Sequence, residues 1–185
     1  LNKHDQGTYE HCHRVGEMSF ELAQKMGLNI IDQAIALYAG LLHDVGKSKI
    51  PIKVLNKPDR LTEQEYDIVK KHAEYGVEII QPLTSLSFFQ KVSQAILYHH
   101  ERVDGKGYHK IVSDEIPIHA KIILVVDTVD AMTEDRPYRK GRSFQVACDE
   151  LIRCSATQFE PMIVDAFLEL HEEKLTPTPI EKVAA

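Results

Sequence analysis

The chain has 185 residues, 43% of them hydrophobic, enough to bury one full core as a single domain. Lys and Arg number 22 against 28 Asp and Glu, and the net charge of -6 argues against a dedicated nucleic-acid surface, though not against a small anionic ligand held by a few local cations. Three cysteines without CxxC spacing exclude a disulfide scaffold or zinc knuckle, and no apolar run approaches the roughly 18 residues that span a bilayer.

Most of the chain reads as helix. Residues 8–26 place Val15, Met18, Leu22 and Met26 on one stripe before a stop at Gly27. Residues 31–43 are rich in Ala and Leu and apolar nearly all round, which predicts a central helix ending near Gly46. Pro51 and Pro58 punctuate a loop with at most a short helix around 52–55. The capping box Thr62-Glu63-Gln64-Glu65 opens a helix expected to run to about Ile80. Another helix spans about 87–100, followed by a polar loop from Glu101 to Glu115. Pro117 suits the first turn of a helix carrying Ile122 to Met132; the β-branched run 122–126 also fits a buried strand, but its continuation through Ala131 favours helix. A basic loop, 133–142, leads to helices at about 143–154 and 161–171. The tail from Thr176 is expected to be mobile, leaving 1–175 as the domain. There is no signal-peptide pattern, and a chain opening on Leu1 reads as a catalytic domain cut from a longer parent with an upstream sensory segment.

Polar groups interrupt three of the apolar segments. His43-Asp44 ends the second helix, His99-His100 ends the stretch after Val92, and Asp127 closes Ile122-Ile123-Leu124-Val125-Val126. Burying an imidazole or carboxylate without a partner costs several kcal/mol. A shared metal centre satisfies all of them, and imidazole with carboxylate is a usual donor set for Mn, Fe, Zn or Ni. His11 and His72 lie on other predicted helices that could converge on the same site, as in bundle-core metal centres. His4, His13, His119 and His171 read as ordinary surface residues.

With these blocks in view, the chain resembles the HD-GYP family, a branch of the HD-domain metal-dependent phosphohydrolases, over nearly its whole length. The matching residues are His11-Cys12-His13-Arg14-Val15; Leu42-His43-Asp44-Val45-Gly46-Lys47; Lys71-His72 with Gly76; His99-His100-Glu101-Arg102 with Asp104-Gly105-Lys106-Gly107-Tyr108; Asp127-Thr128-Val129-Asp130 with Arg136-Pro137-Tyr138-Arg139; and Thr157-Gln158-Phe159. The resemblance implies an all-α HD-domain bundle of about seven helices with a metal site in its core. It further implies a bacterial, cytoplasmic enzyme that hydrolyses the second messenger cyclic di-GMP to linear pGpG and onward to GMP.

The implied metal ligands are His11, His43, Asp44, His72, His99, His100 and Asp127, holding two divalent ions, Fe or Mn first, Zn or Ni permitted. The implied catalytic groups are Asp44 and Lys47. Substrate contacts fall on Lys47, Asp130, Arg136, Arg139, Gly107 and Tyr108, and either Tyr108 or Tyr138 could stack on a guanine. Some members hold a third ion through a Glu four residues before the first histidine; Gly7 stands there, so two are expected. The name-giving motif should end in Pro, whereas this chain reads Gly107-Tyr108-His109. That substitution leaves open a module that binds cyclic di-GMP without turnover, or docks a protein through this loop. A hydrolase of a related cyclic dinucleotide such as cyclic GMP-AMP is the other alternative. No nucleic acid and no membrane contact are expected of this segment.

Overall fold

The computed structural model describes residues 6–135 and 140–175, and every regular element among them is helical. Helix α1, Gln6–Lys25, buries Val15 and Leu22 and packs Met18 against the same core, with Met26 joining it just past the helix end. It stops at Gly27, whose φ of 73° favours glycine; the N–H groups of Gly27 and Leu28 return to the carbonyls of Gln24 and Ala23 in a Schellman closure. Helix α2, Ile30–Leu42, starts on Asn29, whose side chain accepts from the N–H groups of Ile31 and Asp32. A 3-10 turn, Val45–Lys49, and the short α3, Ile52–Leu55, follow.

The expected continuous helix over 62–80 is two helices. Helix α4, Glu63–Lys70, opens on Thr62 with the complete capping box, and α5, His72–Ile80, begins after a break at Lys71. The reason lies in Gly46: a Cβ there would sit 1.9 Å from the His72 carbonyl oxygen and 2.5 Å from the Gly76 nitrogen. The backbone of α5 rests directly on the turn after Asp44, while α4, with no buried residue, stays on the surface. Packing, not propensity, divides them.

Helix α6, Ser87–Tyr98, precedes the polar loop, and α7, Ile118–Thr133, follows it. Then come α8, Phe144–Arg153, α9, Pro161–Leu170, and the short α10, Glu172–Leu175. The seven long helices expected therefore become eight. The run 122–126 is helical and buried throughout, because α7 is packed by α1, α2, α6, α8 and α9 together. Helix α2, expected to be the central one, instead leaves Ile30, Ile31 and Tyr38 exposed.

Two histidines read as surface residues are buried. His119 sits in the first turn of α7 against α2, with Nε2 3.2 Å from Asp32 Oδ1. His171 stacks on Phe167 at 4.4 Å and binds that residue's carbonyl through Nδ1. Burial lowers both pKa values, against the pull of Asp32 on the first and of the Phe167 carbonyl on the second. His13 is exposed as expected. His4, Arg136, Tyr138, Arg139 and the tail from Thr176 lie outside the described residues. No helix among those described is long and apolar enough to cross a membrane.

Candidate metal centre

Three of the histidines stand just past a helix end and are tethered alike. His43 caps α2, His99 caps α6, and His72 follows the end of α4. Each Nδ1 meets the carbonyl three residues back: Gly40 at 2.7 Å, Val69 at 2.8 Å and Ile96 at 2.7 Å. A carbonyl only accepts, so Nδ1 carries the proton and the Nε2 lone pair faces inward. His72 Nε2 and His99 Nε2 then confront each other at 3.2 Å. Two lone pairs at that distance repel unless a cation lies between them.

Of three donor groups whose ligand atoms lie within 4.8 Å of one another, two are made of the expected ligands: His11, His43 and Asp127, and His72, His99 and His100. Asp44 stands between the groups. Its Oδ2 is 3.4 Å from His43 Nε2 and 3.8 Å from His11 Nε2, and its Oδ1 is 3.5 Å from His72 Nε2. His43 Nε2 and Asp44 Oδ1 are buried without a hydrogen-bond partner. Orphaned buried polar atoms are rare and costly. Their presence beside five other donors fits a pair of divalent cations, with Asp44 able to serve both.

The electrostatics divide the same way. Burial pushes Asp44 and Asp127 toward the neutral acid, but Lys47 beside the first and His11 beside the second hold both carboxyls well below their usual range. Burial lowers His11, yet hydrogen bonds to Asp127 and Asp130 raise it to about 9. Burial lowers His72 and His99, and takes His100 down to about 4.

Around these donors, Lys47 Nζ binds Asp44 Oδ2 at 2.5 Å, with its side chain 32% exposed. Burial disfavours its charge, but Asp44 more than compensates and its pKa is raised. Asp130, expected to touch ligand, has both oxygens engaged: Oδ2 accepts from His11 Nδ1 at 2.6 Å and Oδ1 from Arg14 Nε at 2.6 Å. Its carboxylate thus faces His11 and Arg14. Tyr108 lays its ring against His100, centroids 4.6 Å apart. Gly107 is buried where a Cβ would come within 2.6 Å of Glu101 Cα.

His109 does something proline could not. Its backbone N–H donates to the buried Glu101 carboxylate at 2.6 Å, and its Nδ1 lies 3.3 Å from the same oxygen. Sequence reasoning also passed over Cys12, whose Sγ groups with His43 and Asp44. Burial pushes its thiol up to about 12, so it stays protonated and apolar in effect. Its only signal in the sequence is adjacency to His11.

A sequence model of the HD domain matches residues 1–163. Among curated proteins, a cyclic di-GMP phosphodiesterase of Thermotoga maritima is 37% identical over 170 residues, covering 91% of this chain and 46% of the relative. A 3'3'-cGAMP-specific phosphodiesterase of Vibrio cholerae is 35% identical over 167 residues, covering 90% and 32%. This chain thus spans less than half the length of these relatives. Among solved structures, Bd1817 of Bdellovibrio bacteriovorus, an HD-GYP-type protein, superposes with a TM-score of 0.70 at 19% identity over 89% of this chain and 52% of that one. The HD domain of Listeria monocytogenes PgpH, in complex with cyclic di-AMP, gives 0.65 at 18% identity over 100% and 97%. At those identities the likeness is one of fold.

Proposed function

Because the chain belongs to the HD domain family and carries the motif blocks of its HD-GYP branch, we propose that it hydrolyses cyclic di-GMP to linear pGpG and onward to GMP. The observation that supports this most is the buried Asp44, set between two donor groups with one oxygen unpartnered. His11, His43 and Asp127 would hold one divalent ion and His72, His99 and His100 the other, with Asp44 shared. Mixed imidazole and carboxylate donors suit Fe or Mn, with Zn or Ni chemically permitted. When bound, such a pair supplies an activated water and neutralises charge on the phosphate oxygens.

The chain's own groups do the rest. Lys47, ionised and partly exposed above Asp44, binds a non-bridging phosphate oxygen and offsets charge that grows in the transition state. Asp130, anchored by Arg14, fixes the tautomer and tilt of His11. The basic segment around Arg136 and Arg139 clamps the second phosphate, since Arg forks match phosphate oxygens. In the longer protein, an upstream sensory domain would govern the site in the bacterial cytoplasm, and the Gly107-Tyr108-His109 loop would be the place for a protein partner.

The test is turnover of cyclic di-GMP by protein purified anaerobically and loaded with Fe(II) or Mn(II), with products separated chromatographically. Release of pGpG is expected; absence of product from either loading overturns the proposal. The similarity to a cGAMP-specific enzyme supports a second reading, preference for the mixed dinucleotide. Competition between the two dinucleotides in one assay separates them.

A further inference from the structure

The donors His72, His99 and His100 come from three stretches of chain: His72 opens α5, His99 caps α6, and His100 begins the loop that follows. His109 is none of these donors, yet it touches a neighbour of each. Its ring meets that of Tyr98, the residue before His99, edge-on with centroids 5.6 Å apart. Its Nδ1 lies 3.3 Å from Oε1 of Glu101, the residue after His100. Its Nε2 lies 3.9 Å from Oε1 of Glu74, two residues beyond His72 on α5.

Glu101 is the fixed point of this arrangement. Its side chain is fully buried, Oε1 accepts the N–H of His109 at 2.6 Å, and Oε2 accepts that of Ile111 at 3.3 Å. A Cβ at Gly107 would come within 2.5 Å of Oε2, so residues 107–111 wrap closely around the carboxylate. The imidazole of His109 carries this wrapped loop across to α5. The donor with most to gain is His100. His72 and His99 are each tethered through Nδ1 to a carbonyl, whereas His100 is placed by ring contacts with His99 at 4.0 Å and Tyr108 at 4.6 Å. Both its main-chain neighbour Glu101 and its ring neighbour Tyr108 belong to the loop that His109 secures.

We propose that His109 is a positioning residue for the ion of His72, His99 and His100: it clips α5 to the loop behind His100, so that the three imidazoles keep one spacing. The assignment rests on the paired-ion reading above and deepens it. Proline would stiffen this loop by fixing φ; His109 stiffens it by joining the flanks of three ligands.

Release of ions from the Co(II)-loaded protein to a competing chelator, followed by visible absorption, tests the clip without turnover. His72→Ala identifies the ion concerned, as the one whose absorption it removes. His109→Ala keeps the backbone N–H on Glu101. It should weaken retention of that ion by about five- to tenfold and change its absorption, at or below the lower end of the range for groups bonded directly to a ligand. The other ion should be unchanged. His109→Asn, whose amide can still donate to Glu101, should recover all but about threefold. Glu74→Gln, at the exposed end of the clip, should cost about two- to threefold. A His109→Ala protein that keeps the parent's absorption and retention, or that loses both ions equally, overturns the proposal whatever its melting temperature. A parent that takes up fewer than two ions overturns the paired-ion reading, and the clip with it. A parent holding both ions without cleaving cyclic di-GMP overturns the phosphodiesterase reading alone, and the variants' absorption still decides the clip.

Discussion

The two halves of the metal centre are built from the same helical bundle and differ in electrical character. The half made of His11, His43 and Asp127 holds a depressed carboxyl and an imidazole whose pKa is raised to about 9. The half made of His72, His99 and His100 holds three imidazoles that burial keeps neutral. A cation entering the first must displace a proton from His11 but meets a formal negative charge. One entering the second displaces no proton and finds nitrogen lone pairs alone, apart from Asp44. The two halves therefore offer a cation different donor sets, one with its own carboxylate and one of nitrogens alone beside the shared Asp44.

The most damaging change should be Asp44→Ala, because Asp44 is the group both halves share. We expect loss of both ions and a fall in cyclic di-GMP turnover beyond about a hundredfold, the upper end for residues that merely orient ligands. Elemental analysis alongside the assay checks it, and retention of one full equivalent would show that the halves are independent. Asp130→Asn should act on the first half alone. It should lower metal affinity there by about ten- to a hundredfold through a loosened His11, leaving the second half filled. Equal loss from both halves in a metal titration would remove the distinction.

Acid and base should then separate the halves in chelator-treated protein. His100 has a folded pKa of about 4 against 6.5 unfolded, so its unfolded form takes up the proton first. Its contribution to stability is complete above about pH 6.5 and is lost as pH falls from there toward 4, on the order of 2 kcal/mol at pH 5. His11 is raised, so its contribution is complete below pH 6.5 and is lost as pH rises through about 9. Urea unfolding across pH should show His100→Gln flattening the acid limb and His11→Gln the alkaline limb. A single limb responding to both variants would mean the halves titrate as one.

The smallest effect concerns the loop behind the second half. His109→Pro restores the residue usual in the motif, yet removes the N–H that donates to buried Glu101. Losing a charge-assisted bond costs about 1.5–3 kcal/mol, and proline returns part of it by stiffening the unfolded chain, so a net loss of about 1 kcal/mol is expected in denaturant unfolding. A gain in stability would show that Glu101 finds another donor.

Much of the fold was legible because burial leaves periodic traces. The α1 stripe, the Thr62 capping box and the apolar density of α7 all appear in the chain itself. What local signals could not carry was the break at Lys71, which is imposed by a backbone contact with Gly46, distant in sequence. The burial of His119 and His171 was hidden for the same reason, since each faces a partner supplied by packing. At the site, His43-Asp44 and His99-His100 announced themselves as polar interruptions of apolar runs. His11 and His72 carried a weaker signal, each a lone histidine on its own predicted helix, and the resemblance to a family strengthened it. The contacts of Asp130 with Arg14 and His11 are not legible in the sequence, because only packing brings these distant residues together.

The contact between Gly46 and the start of α5 reaches beyond secondary structure. It presses the turn carrying Asp44 onto the carbonyl of His72, main chain against main chain. Side chains can swing to suit an ion of another radius; two backbones already touching cannot close further. The distance between the turn carrying Asp44 and the start of α5 is therefore a fixed gauge machined into the scaffold, at which any ion held there would have to work.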